Sequence, residues 1–148
     1  MEEKLSILGL MVRDHISIDL SLKMFKENLK KDFNEMSEAF EEFKWEIKKH
    51  FFAEEKGIFD SYNNKDQEII SMIKHIMEEH DQIIEMLNDI ESELSIKDDI
   101  EITGLAQMLE DHRKFEEESL YPKLDASLSE NQKEEIIKKI NEIPLKEQ

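Results

Sequence analysis

The sequence contains no cysteine, only three glycines and two prolines, and no long run of apolar residues. The absence of cysteine excludes disulfide bonds, thiolate chemistry and iron–sulfur ligation. The scarcity of glycine and proline favours long helices, because these two residues are the main helix breakers. No apolar run approaches the ~18 residues of a membrane span, and the first residues do not have the pattern of a signal peptide. We therefore expect a cytoplasmic protein.

Basic residues are also few, because 20 lysines and arginines stand against 37 acidic residues and the formal net charge is −17. Nucleic acids require a basic surface, and anionic membranes attract one, so neither is an expected partner. We interpret the acidic surface as a solvated one, which could also gather cations. The sequence does not identify a protein partner.

The periodicity predicts an all-α fold, since apolar residues recur at steps of three and four and rarely alternate. Short connections force antiparallel neighbours, which favours an up-down-up-down four-helix bundle with a short fifth C-terminal helix. We expect one domain over residues 1–148, with its core at about 5–122. The predicted helices span about 3–29, 33–62, 65–94, 100–120 and 129–142.

Four local signals set the predicted helix ends. Asp32 followed by Glu35, and Ser129 followed by Gln132, have the spacing of capping boxes. Asn64 is the predicted N-cap of the third helix. Pro122 is expected to end the fourth helix soon after residue 120.

Two segments share one pattern, His50-Phe-Phe-Ala-Glu54-Glu55 and His112-Arg-Lys-Phe-Glu116-Glu117. Residues four apart share a helix face, so each histidine and the first glutamate of its segment point the same way. The apolar stripes of the first and third helices carry His15 and His80. Counted from the predicted turns at about 1.5 Å per residue, the four histidines lie within about one turn of a common layer.

Two carboxylates in a protein core repel each other and are costly to bury, so we expect a positive charge between them. The predicted metal ligands are His15, His50, Glu54, His80, His112 and Glu116. His75 also precedes a glutamate by four residues, but it lies off the apolar stripe and we exclude it. Imidazole and carboxylate accept iron, manganese, zinc or cobalt, so the ligands leave the metal open.

Other residues adjoin these ligands in the sequence. Most of them are interpreted as solvated helix flanks, and some could orient the imidazoles through hydrogen bonds; they are Asp14, Glu55, Asp81, Glu117 and Glu118. Tyr121 is interpreted as a residue at the edge of the core, with a redox-active neighbour of the metals as the alternative.

This combination on four helices resembles the hemerythrin family, specifically its hemerythrin-like His-His-Glu cation-binding domains. The resemblance covers about residues 5–122 and implies a non-haem di-iron centre with an oxo or hydroxo bridge, for which zinc or manganese could substitute. It further implies that His15 and His50 bind one iron and that His80 and His112 bind the other. Glu54 and Glu116 would bridge the two irons.

The sequence departs from the oxygen-carrying hemerythrins at two positions. Those proteins have a His-x-x-x-His pair in the third helix, where this chain has Ile84 at the second position. They also place an aspartate five residues after the last histidine, whereas Glu116 follows His112 by four. The pattern is closer to the symmetric sites of iron- or oxygen-sensing hemerythrin-like domains.

Three functions are compatible with the sequence. The favoured one is a protein that binds oxygen or a related small ligand for sensing, storage or delivery. The alternative is an enzyme, a di-iron oxidase or peroxidase or a nitric-oxide-detoxifying protein, which would need an electron donor that no motif here supplies. A metal-free helical interaction module is the third, and it leaves the core positions of Glu54 and Glu116 unexplained.

Overall fold

The computed structural model describes residues 6–96 and 99–143, and helices make up most of them. The α-helices are α1 (Ile7–Asn28), α2 (Phe33–Phe52), α3 (Gln67–Glu93), α4 (Thr103–Phe115), α5 (Tyr121–Ser127) and α6 (Glu130–Asn141). Two wider, π-helical segments are π1 (Ala53–Phe59) and π2 (Glu116–Leu120). Because π1 continues α2, and π2 joins α4 to α5, the described residues form five continuous helices. They contain no strand, which confirms the all-α prediction.

The helix starts are fixed largely by side-chain caps. Asp32 accepts a hydrogen bond from the N–H of Glu35 over 2.9 Å and caps α2, as predicted. The predicted capping box of Ser129 and Gln132 is present in both directions at the start of α6. The predicted residues 3–5 of the first helix, residues 97–98 of the third turn and Pro144 lie outside the described residues.

The prediction that Asn64 caps the third helix is wrong. Asp66 caps α3 by accepting hydrogen bonds from the N–H groups of Glu68 and Ile69. Asn64 instead donates to the carbonyl of Ser127 over 2.9 Å. Its side chain therefore fastens the loop before α3 to the end of α5, a long-range contact that local sequence does not reveal.

The predicted end of the fourth helix at Pro122 is also wrong. Within π2, the N–H of Tyr121 donates to the carbonyl of Glu116 five residues back. This wider turn restarts the helix, so Pro122 lies in the first turn of α5, where a missing N–H has little cost. The helix consequently continues to Ser127.

The last of the five continuous helices, α6, packs against π1. Ile136 is buried there, and Gly57 allows the backbone of π1 to approach Ile140 closely. A Cβ atom on residue 57 would lie 2.5 Å from Cγ1 of Ile140, which is shorter than carbon atoms tolerate. The helix therefore covers π1 rather than projecting away from the other helices.

The core consists of two apolar clusters with a polar layer between them. Cluster I contains Ile18, Leu22, Phe25, Met36, Phe40, Phe43, Ile47, Phe51, Ile83, Leu87, Ile90, Leu94, Ile102 and Leu105. Cluster II contains Ile7, Met11, Ile58, Phe59, Ile69, Ile76, Leu120, Tyr121, Leu124, Leu128 and Ile136. Along α1 and α3 the chain passes from cluster II to cluster I, and along α2–π1 and α4–π2 it passes back.

None of the described helices is long and apolar enough to cross a membrane.

Candidate metal centre

The six predicted ligands lie together in the polar layer between the two clusters. On α1, α3 and α4 the histidine lies between the last residue of one cluster and the first residue of the next, as His15 does between Met11 and Ile18, and on α2 His50 lies next to Phe51, the last residue of cluster I on that helix. All six side chains are buried, and Glu54 and Glu116 have no exposed surface. His75, which the amphipathic pattern excluded, is 53% exposed. The structure therefore separates the four core histidines from the fifth as the sequence predicts.

Each core glutamate contacts imidazoles from both of the expected pairs. Oε1 of Glu54 lies 3.2 Å from Nε2 of His50 and 3.1 Å from Nε2 of His80. Oε1 of Glu116 lies 3.1 Å from Nε2 of His15 and 3.4 Å from Nε2 of His112. Each core carboxylate therefore lies between imidazoles of the two expected pairs.

The ligand atoms fall into two groups, in each of which they lie within 4.8 Å of one another. The four-residue group is Glu54, His80, His112 and Glu116, and the three-residue group is His15, His50 and Glu116. Glu116 belongs to both groups, whereas Glu54 belongs to one. The two groups meet at Glu116, and Glu54 also contacts His50 of the smaller group.

A ring of carboxylates surrounds the four imidazoles. Every Nδ1 atom has a carboxylate partner, at 3.0 Å or less: His15 with Glu117, His50 with Asp14, His80 with Glu55, and His112 with Glu79. An ionised carboxylate only accepts hydrogen bonds, so Nδ1–H is the donor. In the neutral imidazole this fixes the tautomer in which Nε2 carries the free lone pair and faces the centre, the arrangement typical of metal-binding histidines.

The ring runs from helix to helix and closes on itself. Asp14 on α1 accepts a hydrogen bond from His50 on α2, and Glu55 on π1 accepts one from His80 on α3. Glu79 on α3 accepts one from His112 on α4, and Glu117 on π2 accepts one from His15 on α1. The sequence indicated Asp14, Glu55 and Glu117 as residues that could orient imidazoles. Asp81 and Glu118, considered with them, are exposed.

Glu79 is the ring member that the sequence reasoning missed. It is the glutamate four residues after His75, and one of its oxygens lies 3.4 Å from Nε2 of that histidine. Its other oxygen holds His112 at 2.8 Å. A usable signal was present, because Glu79 directly precedes His80 as Asp14 directly precedes His15.

Tyr121 does not lie at the edge of the core but is completely buried beside the centre. Its hydroxyl donates a hydrogen bond to Oε2 of Glu54, and its ring lies 5.9 Å from that of His15. The π2 turn explains this position. In π2 the backbone N–H of Tyr121 donates a hydrogen bond to the carbonyl of Glu116, five residues earlier, so Tyr121 lies above Glu116 on the same side of the helix. Burial, together with the charges of Glu116 and Glu54, raises the pKa of Tyr121 well above its usual value, so the phenol remains a donor.

Comparison with known families identifies this arrangement. The chain matches the family model described as Hemerythrin HHE cation binding domain over residues 6–124. This protein belongs to the hemerythrin HHE cation-binding domain family. Comparison with curated proteins and with solved structures gave no match. The matched range includes all six predicted ligands, the four ring carboxylates and Tyr121.

The electrostatics of this hemerythrin-family centre favour positive charge. Burial lowers the pKa of His80, but hydrogen bonds to Glu54 and Glu55 outweigh it and raise the value to about 9. Burial likewise opposes the charged form of His50, yet the charge of Glu54 and the hydrogen bond to Asp14 raise its pKa well above the usual value. A pocket that stabilises buried imidazolium also attracts metal cations.

Two buried atoms at the centre show that its residues fit a cation. Nε2 of His112 and Oε2 of Glu116 have no hydrogen-bond partner among the described residues. Buried polar atoms normally find a partner, and both atoms carry lone pairs that a metal ion would use. Nitrogen and carboxylate oxygen are suitable ligands for iron, manganese or zinc.

A cavity of about 20 Å³ adjoins the centre on one side. It is lined by His15, Ile18, Asp19, His50, Phe51, Leu109, His112 and Arg113. A volume of roughly 10–15 Å³ on this scale holds one water molecule, so the cavity accommodates one molecule of that size.

Ile84 stands where the oxygen-carrying hemerythrins have the second histidine of the third helix. It is half-buried and packs against cluster I.

Proposed function

We propose that this protein binds two iron ions at its six core ligands and that the centre binds oxygen or a related small ligand for sensing, storage or delivery. In this proposal His15 and His50 serve one ion, His80 and His112 serve the other, and the two core glutamates bridge them. The alternating order of clusters I and II along the chain supports the predicted up-down-up-down four-helix bundle around the ions. The cytoplasmic location and the single domain over residues 1–148 stay predictions from the sequence.

The observation that carries the proposal is the direction of the four imidazoles. Each Nδ1–H donates outward to a carboxylate, which turns each Nε2 toward Glu54 and Glu116. Orienting carboxylates of this kind raise the basicity of the imidazole and fix its geometry for a metal. A metal-free interaction module would not need four oriented, buried imidazoles around two buried carboxylates.

The binding of a small ligand is supported by the cavity beside three of the histidines. It has room for one molecule of about the size of water, and larger substrates would not reach the ions by this route. Bound iron would supply the redox chemistry and the coordination position for the ligand. The chain itself would supply the restricted access and exclude bulk water.

The choice of iron rests on membership of the family, because the ligands themselves also suit other metals. Affinity for divalent ions generally favours zinc over iron(II) at a site of this kind. We therefore expect purified protein to contain metal whose identity depends on supply, and iron to be the ion that gives the centre its reactivity.

The test is to load metal-free protein with two equivalents of iron(II) without oxygen, then admit air and record absorbance over time. A charge-transfer band that appears with oxygen and disappears on its removal would support reversible ligand binding. A transient band followed by a permanent ferric spectrum, with added peroxide consumed, would favour the alternative oxidase or peroxidase. Consumption of added nitric oxide would favour the detoxifying enzyme.

Metal content provides the matched control, because the chain carries a core and an exposed histidine five residues apart. His80→Ala is expected to lose metal, and His75→Ala to keep two ions per chain. The proposal fails if the unmodified protein takes up no metal, or if His75→Ala loses metal and His80→Ala does not.

A further inference from the structure

Three large apolar residues lie on the outer face of α1 instead of in the core. Ile16, Leu20 and Met24 follow one another at four-residue steps and are 55%, 59% and 55% exposed. Residues four apart share a helix face, so the three side chains form one continuous strip. Single exposed apolar residues are ordinary on a protein surface, whereas a continuous strip along a helix is typical of a docking surface.

A charged residue stands at each end of this strip. Arg13 lies at one end and Glu27 at the other, each seven residues from Leu20, which is about two helical turns. At about 100° per residue, the two charged and three apolar residues fall within an arc of about 80°, which we call the outer stripe. Both charged side chains are exposed, and neither forms an ion pair with another of the described residues.

The outer stripe is self-complementary for two antiparallel copies of α1. A two-fold axis at Leu20 brings each residue opposite the one that lies equally far beyond the axis, and Leu20 itself meets Leu20 of the second copy. Ile16 of one copy then meets Met24 of the other. Arg13 of one copy likewise meets Glu27 of the other, and the symmetry repeats both contacts. A parallel pair of helices would instead bring like charges together.

We propose that the outer stripe of α1 binds a second copy of this chain as an antiparallel helix pair centred on Leu20. The apolar residues supply the attraction, and the charges at the ends fix the register. A groove of about 470 Å³ beside Leu20 and Met24 gives side chains of the second helix room to insert. This inference does not depend on the proposed function. It does join two helices that each carry a predicted ligand, His15.

Charge distinguishes between the possible occupants of this face. The formal net charge of −17 opposes self-association, but charges more than ~8 Å apart are largely screened at physiological ionic strength. Within the outer stripe the charges balance. A different protein with a basic helix is the alternative occupant, because Glu35, Glu38 and Glu42 line the groove. Such a partner does not account for opposite charges at equal distances from Leu20, so the observations favour the second copy.

The test is to measure the molar mass of the full-length protein by light scattering over a wide range of concentrations. We expect the mass to rise from the 17.7 kDa of one chain toward twice that value. Arg13→Glu and Glu27→Arg should each dimerise roughly tenfold more weakly, because each brings like charges together at both ends of the stripe. An equal mixture of the two variants should recover the dimer, because opposite charges then meet again at both ends. Loss of folding cannot produce this recovery.

Leu20→Asp places two carboxylates at the axis and should abolish the dimer. Ile70→Asp changes an exposed apolar residue on α3 and should leave the mass of the unmodified protein unchanged. Lys26→Glu reverses an exposed charge on α1 outside the stripe and is the control for Arg13→Glu. The mass of one chain at every concentration would overturn the inference and leave the face to a different protein. A dimer that persists in Leu20→Asp, or that the mixture fails to recover, would also overturn it.

Discussion

Glu79 accepts a hydrogen bond from Nδ1 of His112 over 2.8 Å, so a carboxylate on α3 orients an imidazole on α4. Glu79→Ala should lower the affinity of the centre for zinc by about 10–100-fold, because the imidazole loses its fixed orientation and part of its basicity. Competition with a chelator of known affinity measures this change.

Glu78→Ala is the control for this prediction. Glu78 directly precedes Glu79 but is exposed, so its removal changes the net charge by the same amount without touching an imidazole. Its zinc affinity should equal that of the unmodified protein. Equal losses in both variants would mean that the effect is one of general charge and that the hydrogen bond to His112 has no particular role.

The inward position of the core histidines was predictable because burial imposes a period on the sequence. His15, His50, His80 and His112 stand where an apolar residue would continue the stripe, and that alone predicts that they face inward. The same reasoning excluded His75, which is exposed in the structure. Helix caps followed from local spacing where the partner lay three residues away, as with Asp32 and Glu35.

The residues that were missed depend on contacts or geometry that a regular α-helix does not show. Glu79 contacts a histidine on the neighbouring helix, and the periodicity of one helix does not show which imidazole of another helix a carboxylate will contact. Tyr121 reaches the centre only because π2 widens the helix, and Asn64 bonds to Ser127 across 63 residues. A periodicity of 3.6 places residue i+5 away from residue i, so the position of Tyr121 was interpreted incorrectly.

The raised pKa of His80 predicts how the stability of the metal-free protein depends on pH. Its folded value of about 9 lies above the ordinary value of 6.5. The protonated form is therefore favoured by folding, and its stabilisation is complete below about pH 6.5 and lost as the pH rises through about 9. Thermal unfolding of metal-free protein should occur at a lower temperature at pH 10 than at pH 6.5.

Zinc should reverse this trend, because a metal-bound imidazole must release its proton. The increase in melting temperature on adding zinc should therefore grow between pH 6.5 and pH 9. His75→Ala should keep both pH profiles, whereas His80→Ala should flatten that of the metal-free protein. A zinc effect independent of pH over this range would contradict the assignment of His80 as a ligand.

Leu109 lines the cavity beside the centre and offers a test of ligand access. Leu109→Phe should fill the cavity and slow the binding of azide to iron-loaded protein, and Leu109→Ala should enlarge it and accelerate binding. Stopped-flow absorbance measures both rates at equal metal content. Met108→Phe is the control, since Met108 packs against cluster I but is not part of the cavity wall. Equal rates in all four proteins would show that ligands reach the ions by another route.

Gly57 is expected to be intolerant of a side chain because α6 lies against it. In Gly57→Ala the new Cβ would lie 2.5 Å from Cγ1 of Ile140, so the helices must separate or Ile140 must change rotamer. Overpacking of this kind typically lowers the free energy of unfolding by about 1–3 kcal/mol. Denaturant unfolding of metal-free protein measures the change.

Gly9→Ala is the opposite case on a helix of the same chain. Its new Cβ would lie 3.5 Å from Oγ of Ser6, an ordinary contact, and alanine favours a helix over glycine by about 0.5–1 kcal/mol. This variant should therefore be as stable as the unmodified protein or more so.

Ile140→Ala should relieve the clash that Gly57→Ala creates, so the double variant should lose less stability than the two single variants combined. Strict additivity would show that α6 does not pack on Gly57 in solution.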